Sequence, residues 1–421
     1  MRREDFIASS PGRLVVAPEG HLAYVPNPLP PDLELPRATI NLLTEAERAL
    51  GELRGVGRRG VPNPHLLIRS FLRQEAVLSS RIEGTTADLQ QLLLFEAAPT
   101  VEPEPADVRE VANYVAALEL GLSLLERLPV SLRLIREVHA RLMQDVRGQE
   151  RRPGEFRHAQ NLIGARGATA ASALFVPPPV QEMHEALHNL ERYFGERRDD
   201  LPFLIQIALF HYQFEAIHPF MDGHGRVGRL LIALQLQEVL PQPLLYLSAY
   251  FERHRSRYLD YLLAVSQTGA WILWIDFFLQ GVAEQAIETT DRVHQLLDLL
   301  DRYQEWAFSA SRSGNLAELT EFLFEQPVIS IADVQNRLGV TPRAANQLVR
   351  RLVEQGILVE ITGRQRNRRF AAREILEIIS PPGEWIPLSD SPTHRTATNT
   401  SNTTPNPIRY TINTTVLARC K

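Results

Sequence analysis

The chain has 421 residues, 44% hydrophobic and 23% charged, with a formal net charge of −5. That length allows two or three domains and a substantial core, and the acidic balance argues against a surface coated throughout with nucleic acid. Cys420 is the sole cysteine, which rules out an intramolecular disulfide. No run of about eighteen apolar residues occurs, and residues 1–6 lack a following apolar stretch, so a cytoplasmic protein without membrane contact is expected.

Residues 1–36 are punctuated by Pro26, Pro28, Pro30, Pro31 and Pro36, which forbid a regular helix. Helical patterns take over from about Leu42, where Thr44 ahead of Glu45-Ala46-Glu47 reads as a capped start. In Ser79-Ser80-Arg81-Ile82-Glu83-Gly84, Ser79 and Glu83 stand four apart on one helix face, and Gly84 ends the turn beside the carboxylate. Residues 107–118 carry apolar positions at i, i+3, i+4 and i+7, the pattern of an amphipathic helix, and 132–142 and 181–193 read the same way. The stretch 161–179 interrupts them. Gly164, Gly167 and small residues there precede Leu174-Phe175-Val176 and three prolines, which predicts a β-hairpin. Residues 204–216 are apolar nearly all round and predict a buried helix.

That helix leads into His218-Pro219-Phe220-Met221-Asp222-Gly223-His224-Gly225-Arg226-Val227-Gly228-Arg229, followed at once by the apolar run 230–234. A polar loop opening onto a helix suits polyphosphate held beside a base. Backbone N–H groups at a helix N-terminus point outward and favour anions, and Gly223 and Gly225 let the backbone approach phosphate. Arg226 and Arg229, three apart, can face one anion from the first turn. Asp222 suits the Mg²⁺ that accompanies a triphosphate. No GxxxxGK[ST] occurs, which excludes a conventional P-loop. A competing arrangement, a metal-hydrolase cluster of His211, His218, Asp222 and His224, fits the spacing but leaves two arginines beside a cation.

Beyond about Gly314 the pattern becomes helix (316–324), short strand (328–330) and a helix capped by Ser330 that ends at Gly339. A second helix opens at Thr341-Pro342 and runs to Glu354, and a two-stranded wing turns at Gly363. This unit resembles a winged helix-turn-helix domain. Between Val340 and Arg373 eight arginines (343, 350, 351, 364, 366, 368, 369 and 373) stand against Glu354 and Glu360, a balance that suits phosphate contacts, although such units also dock proteins. After Pro381 the Thr-, Asn-, Ser- and Pro-rich tail predicts disorder.

The loop 218–229 resembles the signature HxFx(D/E)GNGRxxR of the Fic (Fic/Doc) family, with His224 where that family has Asn. The resemblance implies transfer of AMP from ATP to a Ser, Thr or Tyr hydroxyl of a protein target, the chain itself included. It implies that His218 is the general base and Asp222 the Mg²⁺ ligand. Gly223, His224 and Gly225 would form the anion hole through their backbone, Arg226 and Arg229 would clamp phosphates, and Phe220 would anchor the loop. Tyr258 falls where the family often has tyrosines near the adenine, a core tyrosine being the alternative. The hexapeptide 79–84 matches the family's (S/T)xxxE(G/N) inhibitory motif, in the subclass that carries it N-terminally. Glu83 would then pair bidentately with Arg229 in a buried ion pair, with Ser79 steadying the segment. Pro153-Gly154-Glu155-Phe156-Arg157 resembles the approach to the family's β-hairpin flap, which aligns the target.

The expected fold is therefore mainly α. A Fic-type helical core carries a small β-hairpin flap and is followed by a C-terminal winged helix-turn-helix domain. The expected division is an N-terminal module with the inhibitory helix (1–105), a catalytic core (106–290), a linker helix with the winged helix (291–380) and the tail (381–421). ATP is the expected substrate and Mg²⁺ the expected metal, and a homodimer is compatible with this organisation. The alternatives are removal of AMP from a modified target, and a winged-helix nucleic-acid-binding regulator with a nucleotide-sensing Fic-like domain.

Overall fold

The computed structural model describes residues 1–59, 65–97, 106–164, 167–196, 200–240, 242–311, 313–364 and 366–380; the tail expected to be disordered lies outside them. The proline-punctuated start forms an antiparallel hairpin, β1 (Gly12–Val16) and β2 (Leu22–Pro26), with Leu14 opposite Tyr24. Its signal is legible in the β-branched and aromatic residues either side of Gly20, since prolines that exclude a helix do not exclude a short edge strand.

Helices follow: α1 (Arg37–Arg59), α2 (His65–Ile82), α3 (Leu89–Ala97), α4 (Ala106–Leu125), α5 (Leu132–Leu142), α6 (Val180–Gly195), α7 (Phe203–Ile217), α8 (His224–Leu236), α9 (Ser248–Arg253), α10 (Arg255–Thr268) and α11 (Trp271–Ala310). The first begins earlier than expected. Pro36 closes its opening turn by accepting the Ile40 N–H, and Thr44 lies inside, its hydroxyl bonded to the Ile40 carbonyl at 2.9 Å instead of capping. Among the described residues of 161–179 one antiparallel bridge, Ile163 to Phe175, stands where a hairpin was expected. Pro177, Pro178 and Pro179 follow directly and carry no N–H for a longer ladder.

The 40-residue α11, about 60 Å long at 1.5 Å per residue, packs along α1 and α7. The expected boundary at residue 290 falls inside it. The winged unit comprises α12 (Asn315–Glu325), β3 (Val328–Ser330), α13 (Ile331–Leu338), α14 (Pro342–Glu354), β4 (Leu358–Glu360), β5 (Arg369–Ala372) and α15 (Arg373–Ile379). Its starts and stops follow local chemistry. Ser330 and Asp333 form a capping box, Gly339 ends α13 in the left-handed region, and Thr341 caps α14 with Pro342 at the first position. The wing gains a third strand, in the order β3-β5-β4, because β3 pairs antiparallel with β5. α12 and α15 pack on both α11 and α2, so one hydrophobic core runs through both units. Among the described residues no helix is long and apolar enough to cross a membrane.

Candidate active site

α7 is buried along almost its whole length, as its uniformly apolar sequence predicts, and Trp274 of α11 donates to its Ala208 carbonyl at 2.8 Å. His218 stops it in the left-handed region (φ 48°, ψ 63°) and donates its N–H to the Phe214 carbonyl. The loop then reaches Gly223, whose φ of 68° and close neighbour, the Met143 sulfur 2.5 Å from where a Cβ would stand, admit only glycine. α8 begins at the next residue, so the N–H groups of its first turn open onto the loop.

Three residues outside the motif pin this loop. His139 of α5 accepts the Gly154 N–H at Nδ1 (2.8 Å), so its Nε2 donates to the Asp222 carbonyl (3.0 Å), and its ring lies flat on Phe220 at 3.7 Å. Burial lowers its pKa to about 4, which keeps that tautomer neutral. Arg157 donates from Nε to the His218 carbonyl (3.0 Å), and its other nitrogens reach the Ala159 and Pro178 carbonyls. Asn161 Nδ2 donates to the His218 and Phe220 carbonyls (3.2 and 3.3 Å). Arg157, just before the flap, and Asn161, at its start, therefore hold the loop by its backbone carbonyls. For His139 the sequence signal is slight, a histidine on the apolar face of an amphipathic helix.

The His218 ring lies 3.9 Å from that of His224, tilted by 40°, and Phe214 stacks on His224 at 4.6 Å. Burial, reinforced by His224, holds His218 well below the ordinary imidazole range, and burial takes His224 down to about 3. Both shifts favour the neutral ring, the form that carries a free lone pair, and the same shift weakens His218 as a base. Burial pushes the carboxyl of Glu215, on the last turn of α7, upward.

The two arginines face different partners. Arg226 donates to Glu110 of α4 at 3.0 Å and lies 3.7 Å from Asp222. Glu110 went unnoticed in the sequence, where it is one charge in an amphipathic helix. Arg229 donates from Nε to Ser79 Oγ (2.9 Å) and from Nη2 to both the Ser79 carbonyl (2.9 Å) and Glu83 (2.7 Å). The segment 79–83 thus meets Arg229, with two corrections. Glu83 makes one bond instead of a bidentate pair, because Ser79 takes the other side of the guanidinium and so does more than steady the segment. The pair is also not buried at both ends: the Arg229 side chain is 2% exposed and that of Glu83 42%, since α2 ends at Ile82 and leaves Glu83 at the rim. Burial raises the Glu83 carboxyl, but Arg229 outweighs it and the net shift is downward. Glu83 also covers the turn, its Oε1 lying 2.3 Å from where a Cβ on Gly225 would stand.

Asp222 stays at the rim, its side chain 40% exposed and its Oδ1 accepting the Gly223 N–H at 2.7 Å. Tyr258 is elsewhere. It is 1% exposed, stacked on Phe251 and hydrogen-bonded to His211 Nε2 at 2.8 Å, so it supports Arg229 from the core side and presents no face to a nucleotide. His211 is held by Tyr258 and the Gly228 carbonyl, which removes it from the histidine cluster that the spacing allowed.

This arrangement is that of a recognisable family. The Fic/DOC family N-terminal profile matches residues 40–123, the Fic/DOC family profile residues 129–236, and an HTH DNA binding domain profile residues 316–371. Residues 40–236 thus carry the N-terminal and Fic domains of the Fic/DOC family. A protein adenylyltransferase Fic of Drosophila grimshawi is 29% identical over 188 residues, covering 43% of this chain and 35% of that protein. The protein of the same name from Aedes aegypti is 28% identical over 191 residues, covering 44% and 35%. The match thus spans about a third of the length of these curated relatives. Among solved structures, a Fic family protein from Desulfovibrio desulfuricans is similar in fold, with a TM-score of 0.54 at 22% identity over 82% of this chain and 98% of that one.

Proposed function

We propose that this protein transfers AMP from ATP to a hydroxyl side chain of a protein target, the chain itself included, and that Glu83 restrains it. One juxtaposition carries the reading: neutral His218 and the 223–225 turn share a site with Arg229, whose guanidinium is engaged by Glu83 at 2.7 Å. In the proposed reaction His218 accepts the proton of a Ser, Thr or Tyr hydroxyl. The oxygen bonds to the α-phosphorus, the bond to the β-phosphate bridging oxygen breaks, and pyrophosphate leaves. Backbone N–H groups of residues 223–225 and the Arg229 guanidinium, once released by Glu83, offset the phosphate charge. The half-exposed Asp222 carboxylate is a hard oxygen donor that fits Mg²⁺, which when bound would neutralise phosphate charge there. In this reading the module before residue 106 supplies the restraint and the core to residue 290 the chemistry.

Labelled ATP tests the proposal. His218→Ala should lose about two to four orders of magnitude in AMP transfer while retaining ATP binding, and EDTA should stop the wild type. Undiminished labelling by the variant would reject His218 as the base.

A second activity draws on the winged unit. Arg343 on α14 and Arg366 and Arg368 in the wing are exposed, and Arg368 lies over Phe370 at 5.3 Å. Arg351, by contrast, is bound to the Ala310 carbonyl. DNA binding by this face would weaken and lose salt dependence in Arg366→Ala/Arg368→Ala/Arg369→Ala, because each phosphate contact releases counterions. Absence of salt-dependent binding by the wild type would assign the unit to protein docking.

A further inference from the structure

Where α7 gives way to α8, Glu215, His218 and His224 each offer a donor atom, and these atoms lie within 4.8 Å of one another. AMP transfer uses only His218 of the three side chains. His224 is 3% exposed, and neither of its ring nitrogens has a hydrogen-bond partner among the described residues. The Glu215 Oε2 stands 3.2 Å from His224 Nε2, outside hydrogen-bonding geometry. His218 Nδ1 and Glu215 Oε1 are likewise buried without a partner. Space is kept for that carboxylate, since a Cβ on Gly228 would fall 2.2 Å from its Oε1. Buried polar atoms are nearly always satisfied, and several left open around one point call for a common partner.

We propose that Glu215, His218 and His224 form a binding site for a borderline divalent transition-metal ion of the Zn²⁺ class, separate from the oxygen donor Asp222, and that its occupancy withdraws His218 from proton abstraction. Two imidazoles and one carboxylate match the donors Zn²⁺, Co²⁺ and Ni²⁺ prefer, whereas Mg²⁺ prefers oxygen. Bonds of about 2.0–2.2 Å in a tetrahedral ion set donors roughly 3.3 Å apart, so side-chain rotation closes the site without backbone movement. Three protein donors leave a fourth position for water or a substrate oxygen. A His218 nitrogen that donates its lone pair to a metal cannot accept a proton there. This inhibitory consequence rests on the reading of His218 as the base; the metal site itself does not.

The metal-free full-length chain titrated with Co²⁺ should develop a visible d–d absorption that saturates at one equivalent, disappears with one equivalent of Zn²⁺, and persists in millimolar Mg²⁺. His224→Asn and Glu215→Gln, with helical content checked by circular dichroism, should each weaken Co²⁺ binding at least tenfold. His158→Ala/His184→Ala, at exposed histidines, should bind as the wild type does. Absence of the absorption, or wild-type affinity in His224→Asn, would overturn the site. With Mg²⁺ in excess, Zn²⁺ should suppress AMP transfer by the wild type and lose that effect in His224→Asn. A saturating Co²⁺ signal with Zn²⁺-insensitive transfer would keep the site and overturn its inhibitory role. If no transfer is detected under any condition, the AMP-transfer reading fails and the Co²⁺ titration still decides the site.

Discussion

The two motif arginines stand one helical turn apart, yet they are restrained in opposite ways. Arg226 meets Glu110 in the core, with side chains 4% and 3% exposed. Arg229 is as deeply buried, but Glu83 reaches it from the end of α2 with 42% of its side chain open to solvent. Both charges of the first pair have left water, so loss of one leaves the other stranded. In the second pair only the guanidinium is closed off from water, and Ser79 would still hold it if Glu83 withdrew. The first pair is closed to solvent at both ends, the second at the guanidinium alone, which is the asymmetry the proposed restraint would use.

Substitutions can break that contrast. Glu110→Ala should have the largest effect, about 3–5 kcal/mol of lost stability in denaturant unfolding, because buried Arg226 would keep only the half-exposed Asp222 carboxylate at 3.7 Å. A loss near zero would erase the distinction between the pairs. Glu83→Gly should shift stability by less than about 1 kcal/mol yet raise labelled-AMP incorporation roughly tenfold, near the lower end for a charge-assisted hydrogen bond because the carboxylate is solvated. Adding Arg229→Ala should cancel that gain, and wild-type activity in Glu83→Gly would return the residue to an ordinary helix-end carboxylate.

Ser79→Ala sharpens the comparison from the other side. It strips the Arg229 Nε of its acceptor, so about 1–2 kcal/mol of stability should be lost with only a severalfold gain in transfer, Glu83 remaining in place. The smallest effect concerns acid. Arg229 holds the Glu83 carboxyl below its ordinary 4.5. The pair's contribution is therefore complete above that value and is lost as pH falls through the depressed one. Unfolding free energies of wild type and Glu83→Gly should run parallel above roughly pH 5 and converge in stronger acid. A gap that widens on acidification would contradict the ion pair.

Local spacing determined much of this protein. The amphipathic periods of α4 to α6, the caps of α13 and α14, the left-handed stop at Gly339, and the loop joining α7 to α8 all follow from residues a few positions apart, where propensity and steric rules act. The hexapeptide 79–84 was legible through its family resemblance, although α2 ends at Ile82 and Glu83 stands in the turn beyond it. Strands were less so: the prolines around β1 and β2 exclude a helix without specifying a pairing partner, and β3 takes its place in the wing only by pairing with β5. Partners and burial were decided by tertiary structure. Glu110 reaches Arg226 across 116 positions and Ser79 reaches Arg229 across 150, contacts that exist because α2 and α4 pack against α8. Packing of α10 on α7 and α11 draws Tyr258 into the core, the end of α2 leaves Glu83 at the rim, and the meeting of α7 with α8 brings Glu215 to the two histidines in place of His211. No rule of spacing supplies these outcomes, because a side chain's solvation and its charged neighbours depend on which helices close over it.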